Sequence, residues 1–294
     1  MVKGYLRYIT KEKRYSVHTQ CAYKQDLESF AKYIEERYEC ADFTQVKQQM
    51  IRSWLAEMAA EQYSSKSLHR KKTSLSSFFR FLIYKGILDS NPAKNIPLPK
   101  IKDRLPVFLD EQIMIENETR DLSEMEFPEF RDLLILETLY ATGIRRNELI
   151  NLKDSDIDFA RKLIKVTGKR NKERLIPFGI KLHDLMKAYS IVRDSFFEGF
   201  PCDSFFLLTN AGKKMYPNFV YRKVNQMLDN ISTLKKKSPH VMRHTFATHM
   251  LNQGADLSAI KELLGHANLS ATQIYTHTNI KKLQEIYSRA HPKS

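Results

Sequence analysis

Between residues 91 and 106 the chain reads NPAKNIPLPKIKDRLP, and that stretch constrains what lies on either side of it. Pro92, Pro97, Pro99 and Pro106 each fix φ and remove a backbone donor, and no apolar period runs through them. Such a segment suits a linker better than a helix or strand. The expected division is residues 1–90, a linker at 91–106, and residues 107–294. At 294 residues the chain is long enough for two domains with their own cores.

The part before the linker reads as helical throughout. Ser16 can cap a helix over 16–38, with Tyr23, Leu27, Phe30, Ala31 and Ile34 on one stripe. Thr44 can cap a second, with Val46, Met50, Trp54, Leu55 and Met58 turned inward. Ser64 or Ser65 can open a third, running to 85–86, whose apolar set is Leu68, Leu75, Phe78, Phe79, Leu82 and Ile83. Lys66, Arg70, Lys71 and Lys72 crowd the first half of that helix. Positive charge there opposes the helix dipole, which points to a phosphate partner; a solvated polar face is the competing reading.

After the linker the pattern is mixed. An apolar helix is expected over 130–141, a break at Thr142 and Gly143, and a short helix over 145–152. Residues 163–166 and 174–177 flank the turn GKRNKE and read as a β-hairpin. Helices are expected over 180–194, 217–230, 239–253, 256–264, 270–278 and 280–289. The fold class is therefore mostly α, with a small β-sheet in the second domain.

Charge narrows the partners. Lys and Arg number 48 against 34 Asp and Glu, a net +14, spread as roughly +8 before residue 100 and roughly +6 after it. A surplus of this size favours a polyanion, because each phosphate neutralised releases counterions. Cys21, Cys40 and Cys202 are scattered and odd in number, which argues against a disulfide framework or a cysteine zinc site and for a reducing cytosol. No run of apolar residues is long enough for a membrane span, and MVKGYLRYITKEKRYS has neither the apolar core nor the cleavage site of a signal peptide.

The chemistry concentrates in HVMRHTFATHMLNQGADLSAIKELLGHANLSATQIYTH, residues 240–277. His240 and Arg243 stand three apart, so both leave the same face of a helix that Ser238 can cap and Pro239 can start. Gly265 ends the preceding helix and leaves His266 on a turn, and Asn268 or Ser270 can cap the helix bearing Tyr275. Upstream, Arg145 and Glu148 form another pair three apart, just after the break at Gly143. Two arginines, two histidines and a tyrosine suit metal-free attack on a phosphodiester. The arginine fork donates two parallel hydrogen bonds and keeps its charge. Tyrosine supplies the oxygen nucleophile, a neutral histidine accepts its proton, and Lys169 in the hairpin turn is placed to protonate the leaving oxygen. His244 and His249 read as structural, and Glu148 as a partner for an arginine or a backbone amide. A zinc site on His240 and His244 lacks the glutamate and a third ligand, so no metal and no cofactor are expected.

In their order, Arg145, Lys169, His240-x-x-Arg243, His266 and Tyr275 resemble the tyrosine recombinases, also called the phage integrase family. LYATGIRRNEL, VTGKRNKERLIPFG, SPHVMRHTFATHMLNQGADLSAIKELLGH and TQIYTH look most like the Xer subgroup, and the resemblance covers nearly the whole chain. It implies an N-terminal core-binding (SAM-like) domain and a catalytic domain that together clamp duplex DNA. It implies that Arg145 and Arg243 bind the scissile phosphate, Lys169 protonates the 5′ oxygen, His240 is the general acid/base, His266 hydrogen-bonds the phosphate, and Tyr275 forms a 3′-phosphotyrosyl link. Family members often have Gly after the turn lysine; here Gly168-Lys169-Arg170-Asn171-Lys172 leaves both Lys169 and Lys172 in reach of that role. The reaction implied is conservative site-specific recombination without ATP or metal: resolution of chromosome dimers in the Xer setting, or integration and excision of a mobile element as the alternative. The partners implied are double-stranded DNA with a short recombination site and a homo- or hetero-tetramer on it, with a second recombinase and a septal DNA translocase left open. The setting is a bacterial cytoplasm, at the nucleoid. Ile280, Leu283, Ile286 and Tyr287 make an apolar stripe on the tail helix. That stripe can dock on its own domain or, as the resemblance implies for the DNA complex, on a neighbouring subunit.

Overall fold

A computed structural model of the chain describes residues 1–101, 107–116, 125–168, 172–232, 234, 237–265 and 277–293. The chain forms two compact units, Met1–Arg104 and Leu105–Ser294.

In the first unit, α1 (Val2–Lys11) is a helix that the sequence reading had not placed individually. It is held by Tyr5 and Ile9, both wholly buried, and Tyr5 donates its hydroxyl to Ser77 Oγ at 2.8 Å. α2 (Val17–Tyr38) begins where expected, with the Ser16 hydroxyl accepting from the Thr19 amide at 3.3 Å. Thr44 does not cap the next helix. Asp42 accepts from the Thr44 amide at 2.9 Å and from its hydroxyl at 2.6 Å, which makes a 3-10 turn over Phe43–Gln45. The Thr44 hydroxyl is engaged as a donor to Asp42, and α3 (Gln48–Ala60) starts later without a side-chain cap. α4 (Ser65–Tyr84) is capped by Ser64. Its buried stripe is the expected one except that Phe81 is buried and Ile83 only half-buried. Phe30 meets Trp54 and Phe43 meets Phe78 with ring centroids 5.0 and 4.8 Å apart, which fills the centre of this unit.

The basic cluster on α4 divides by exposure. Lys71 is buried; its ammonium lies 3.2 Å from Asp26 and 5.1 Å from the centre of the Trp54 ring. Asp26 and the Trp54 ring hold its ammonium within the unit. Arg70 pairs with the same Asp26 while staying partly exposed, and Lys72 donates to the Ile96 carbonyl at 2.7 Å. Lys66 is exposed.

The second unit is built around α6 (Phe127–Thr142), buried on nearly every side, which is why its sequence shows almost no polar face. α5 (Glu111–Glu116) precedes it. α7 (Arg146–Ile150) follows the break at Gly143. The hairpin is the larger part of a three-stranded antiparallel sheet: β1 (Ile157–Asp158), β2 (Leu163–Thr167) and β3 (Glu173–Pro177), in that order. Ile164 pairs with Ile176, and Val166 with Arg174. The helices α8 (Ile180–Phe196), α9 (Pro217–Ile231) and α10 (Pro239–Asn252) pack on α6. α11 (Leu257–Leu264) and α12 (His277–Ala290) pack on α10.

α12 docks on its own unit. Leu283, Tyr287 and Ala290 join Phe246, Met250 and Leu263 in one buried cluster. Beyond the helix, His291 stacks on Tyr287 at 4.9 Å, and the Lys293 ammonium meets the Glu137 carboxylate at 2.9 and 3.0 Å.

Candidate active site

Arg145 lies at the N-cap of α7 because Gly143 turns the chain out of α6 with φ +57°. No other residue fits there: a Cβ on Gly143 would stand 2.6 Å from Phe246 and 2.9 Å from Leu264. Glu148 then folds back across the first turn of α7. One of its oxygens accepts from the Arg145 amide and the other from the Arg145 guanidinium, each at 2.8 Å. The expected role of Glu148, as partner of an arginine or an amide, is thus filled on both counts.

Arg243 comes from α10, whose start is fixed by Ser238 accepting from the Val241 amide at 3.4 Å. Its guanidinium donates to the Gly143 carbonyl and to the Leu264 carbonyl. Arg145 donates to the next carbonyl along, Gly265, at 2.8 Å. The two guanidiniums therefore converge on adjacent residues at the C-terminus of α11. Helix-end carbonyls lack intrahelical donors and carry partial negative charge, so this is a natural anchorage for cations. Each guanidinium retains further N–H groups beyond these bonds. His240 is exposed on the first turn of α10, three residues before Arg243.

One residue of this cluster was missed from the sequence. Arg174 on β3 is only 5% exposed. It grips both Glu148 oxygens at 2.8 Å and donates from Nε to the Leu263 carbonyl at 2.8 Å. The signal was available: Arg174 and Ile176 share a strand face, so an arginine sat where alternation demanded an inward residue.

The electrostatics follow from this geometry. Burial pushes the Glu148 carboxyl up, but the bonds from Arg174 and Arg145 outweigh it and hold the group at about 2. For Arg243, burial and then the like charges of Arg145 and Arg174 push it down, to about 9, against the pull of Glu148. Among the described residues of the cluster three arginines stand against one glutamate, a surplus of two positive charges.

Lys169, His266 and Tyr275 lie outside the described residues. The described flanks are informative. Gly168 and Lys172 close the base of the hairpin turn through a 2.7 Å amide–carbonyl bond. A Cβ on Gly168 would stand 3.8 Å from the Arg145 guanidinium. The strand leading to Lys169 thus ends beside Arg145, and the helix leading to His266 ends on the carbonyls that the arginines hold. Lys172 is exposed. Tyr287, the spare tyrosine nearest Tyr275 in sequence, is 2% exposed and its hydroxyl is pushed up by burial, which makes it a poor nucleophile as placed here. His249 is structural, as expected: Tyr140 donates to its Nδ1 and its Nε2 donates to the Leu109 carbonyl, both at 2.9 Å. Among the described residues no group of His, Cys, Asp and Glu is arranged to hold a metal ion. Nor is any helix long and apolar enough to cross a membrane.

Residues 112–282 match the phage integrase family, and residues 2–86 match the phage integrase N-terminal SAM-like domain. The chain belongs to the phage integrase family. Among this family's members, the protein named tyrosine recombinase XerC from Thermodesulfovibrio yellowstonii is 38% identical over 299 residues, covering 100% of this chain and 96% of its own. The XerC of Anoxybacillus flavithermus is 36% identical over 299 residues, covering 99% and 97%. Among solved structures, the XerH site-specific recombinase in a post-cleavage complex with a palindromic difH substrate aligns with TM-score 0.69 at 20% identity, over 98% of this chain and 84% of that one. The Tn1549 transposon integrase in complex with transposon right-end DNA gives 0.69 at 19%, over 98% and 99%. At such identities the structures speak for the phage integrase fold: a helical SAM-like domain and a mostly helical catalytic domain with a small sheet.

Proposed function

We propose that this chain is a site-specific DNA recombinase of the Xer type. It would cut and rejoin DNA through a 3′-phosphotyrosyl intermediate and so resolve chromosome dimers. The observation that carries the reading is the convergence of Arg145 and Arg243 on adjacent carbonyls of α11, with positive charge to spare. The XerC relatives, alike over nearly their full length, favour this over the mobile-element alternative.

In this reading residues 1–90 are the core-binding domain, 91–106 the linker and 107–294 the catalytic domain. Arg145 and Arg243 hold the non-bridging oxygens. The Tyr275 oxygen attacks phosphorus, its proton passing to His240, while the bond from phosphorus to the 5′ oxygen breaks and Lys169 supplies the proton that oxygen needs. His266 hydrogen-bonds the phosphate. Attack by the 5′ hydroxyl of the partner strand reverses the step and restores a phosphodiester, so bond energy is conserved and ATP is not consumed. The attacked phosphate gathers two negative charges, and the cluster's surplus of two positive charges matches them without a metal. Lys66, Arg70 and Lys72 remain as DNA contacts on the first domain. Four subunits would act together on paired sites, in the cytoplasm at the nucleoid; whether they include a second recombinase or answer to a septal translocase depends on the host.

The test uses a nicked duplex whose site has been selected from a randomised DNA pool by binding to this protein. The parent protein should be trapped as a covalent adduct on denaturing gels. Tyr275→Phe should bind the same duplex and give no adduct. An adduct of equal yield from the Phe variant would move the nucleophile elsewhere.

A further inference from the structure

We propose that Arg174, which lies behind the phosphate-facing arginines, is a positioning residue: it locks Glu148 and the C-terminus of α11 together, so that Arg145 and Arg243 meet the phosphate already aligned. The inference rests on the recombinase reading for what is aligned, and on geometry for what does the aligning.

Three consecutive carbonyls end α11, and each is taken by a different arginine. Leu263 is held by Arg174, Leu264 by Arg243 and Gly265 by Arg145. The middle and last of these arginines retain exposure, whereas Arg174 is buried. The Arg174 stem packs on Gly265 so closely that a Cβ there would stand 3.1 Å from its Cδ. Its fork covers both oxygens of Glu148. Leu263 on Nε and Glu148 on both terminal nitrogens fix the orientation of the fork, and burial keeps the rest of it from substrate.

What depends on it is Glu148. Among the described residues, the charged groups that face this carboxylate are Arg145 from the start of α7, Arg174 from β3 and Arg243 from α10. Arg174 supplies two of the bonds that keep the carboxylate ionised in a buried place; Arg145 supplies the others. Without Arg174, two of the bonds that offset burial are lost and the carboxyl rises. Once protonated, Glu148 no longer fixes the Arg145 fork. The same loss frees the Leu263 carbonyl, one residue from the Leu264 anchor of Arg243.

The experiment measures cleavage of the selected nicked duplex by the full chain, as parent and as Arg174→Gln, Arg174→Lys, Glu148→Gln and the Arg174→Gln/Glu148→Gln double variant. The rate ratio of Arg174→Gln to parent is followed from about pH 8 to about pH 5. It should fall with acid, by about tenfold per pH unit below the new pKa of Glu148. Arg174→Lys, which keeps a charge beside Glu148, should restore much of the rate and flatten the fall. The double variant compared with Glu148→Gln should give a flat ratio. A ratio that is the same at every pH would mean that Arg174 only holds the fold together, and would overturn the proposal. An acid limb that persists in the double variant would overturn it too. Carbon-13 titration of Glu148 in the free proteins decides the matter independently of activity and of whether Arg174→Gln folds. Protonation of Glu148 in Arg174→Lys at a higher pH than in the parent supports the proposal, and an unchanged titration overturns it. Absence of any parental adduct would count against the recombinase reading, and the titration would still judge Arg174.

Discussion

Gly143 carries a constraint out of proportion to its size. It turns α6 into the loop that presents Arg145, its carbonyl anchors Arg243, and its missing side chain leaves room for Phe246 and Leu264. Gly143→Ala adds left-handed backbone strain of about 1–2 kcal/mol and overpacking of about 1–3 kcal/mol. The catalytic unit should melt several degrees lower in calorimetry, and adduct formation should fall further than the loss of folded protein explains. A second residue sets an acid limit on stability. His291 is buried between Tyr287, Tyr140 and Phe246, accepts from the Lys293 amide at 3.0 Å, and is pushed down to about 3, first by burial. Its folded pKa lies below its unfolded value of 6.5, so the unfolded chain binds the extra proton. Stability from this group is full above pH 6.5 and is lost as pH falls towards 3, which amounts to about 2 kcal/mol at about pH 5. Chemical denaturation at about pH 7 and about pH 5 should show that difference in the parent. His291→Phe should be less stable at both values yet lose the difference between them; a difference that survives would place the titrating group elsewhere.

At the scale of the element, α12 is where the structure decides between two expectations. A short terminal helix needs a surface for its stripe, and the sequence left two surfaces open. The structure gives it the one on its own domain, because Leu283 and Tyr287 complete a cluster with Phe246, Met250 and Leu263 that would otherwise face water. The Lys293–Glu137 pair then ties the end of the chain to α6. Removing a buried aromatic of this kind costs about 3–5 kcal/mol, so a chain ending at Thr278 should unfold earlier than the parent. Gel-shift titration of that truncated chain adds the other half. In the tetramer proposed above, half-site binding should persist at temperatures where the protein is folded, and cooperative filling of the full site should weaken. Unchanged cooperativity would mean that α12 serves only its own domain. The β-hairpin shows the same logic from the other side. Its strands were read correctly, but β1 was not, because two residues are too short to show any alternation.

For the molecule as a whole, charge and mechanism are linked. The excess of basic residues is spread across both units rather than held in a tail, which suits a partner that both units touch. In the proposed mechanism neutralisation of the phosphate rests on Arg145 and Arg243, so cleavage of the selected duplex should proceed unchanged with EDTA present. Loss of adduct in EDTA, restored by a divalent ion, would replace this mechanism with a metal-dependent one.

The sequence alone determined the mostly helical class, the capped starts at Ser16, Ser64 and Ser238, and the residues that carry the resemblance. These follow from interactions a few residues long: a hydroxyl reaching an amide three positions on, or an apolar stripe repeating each turn. Charged residues misled wherever the partner was distant in sequence. Lys71 read as a surface cation until Asp26 and Trp54, from other helices, closed around it. Arg174 read only as the first residue of a hairpin strand until Glu148 took both terminal nitrogens and Leu263 its Nε. The direction in which α12 docks was likewise decided by tertiary packing. A side chain's neighbours along the chain set its local geometry, but whether its charge meets water, an ion partner or a phosphate depends on which distant segments the fold brings to it, and that is a property of the packed molecule.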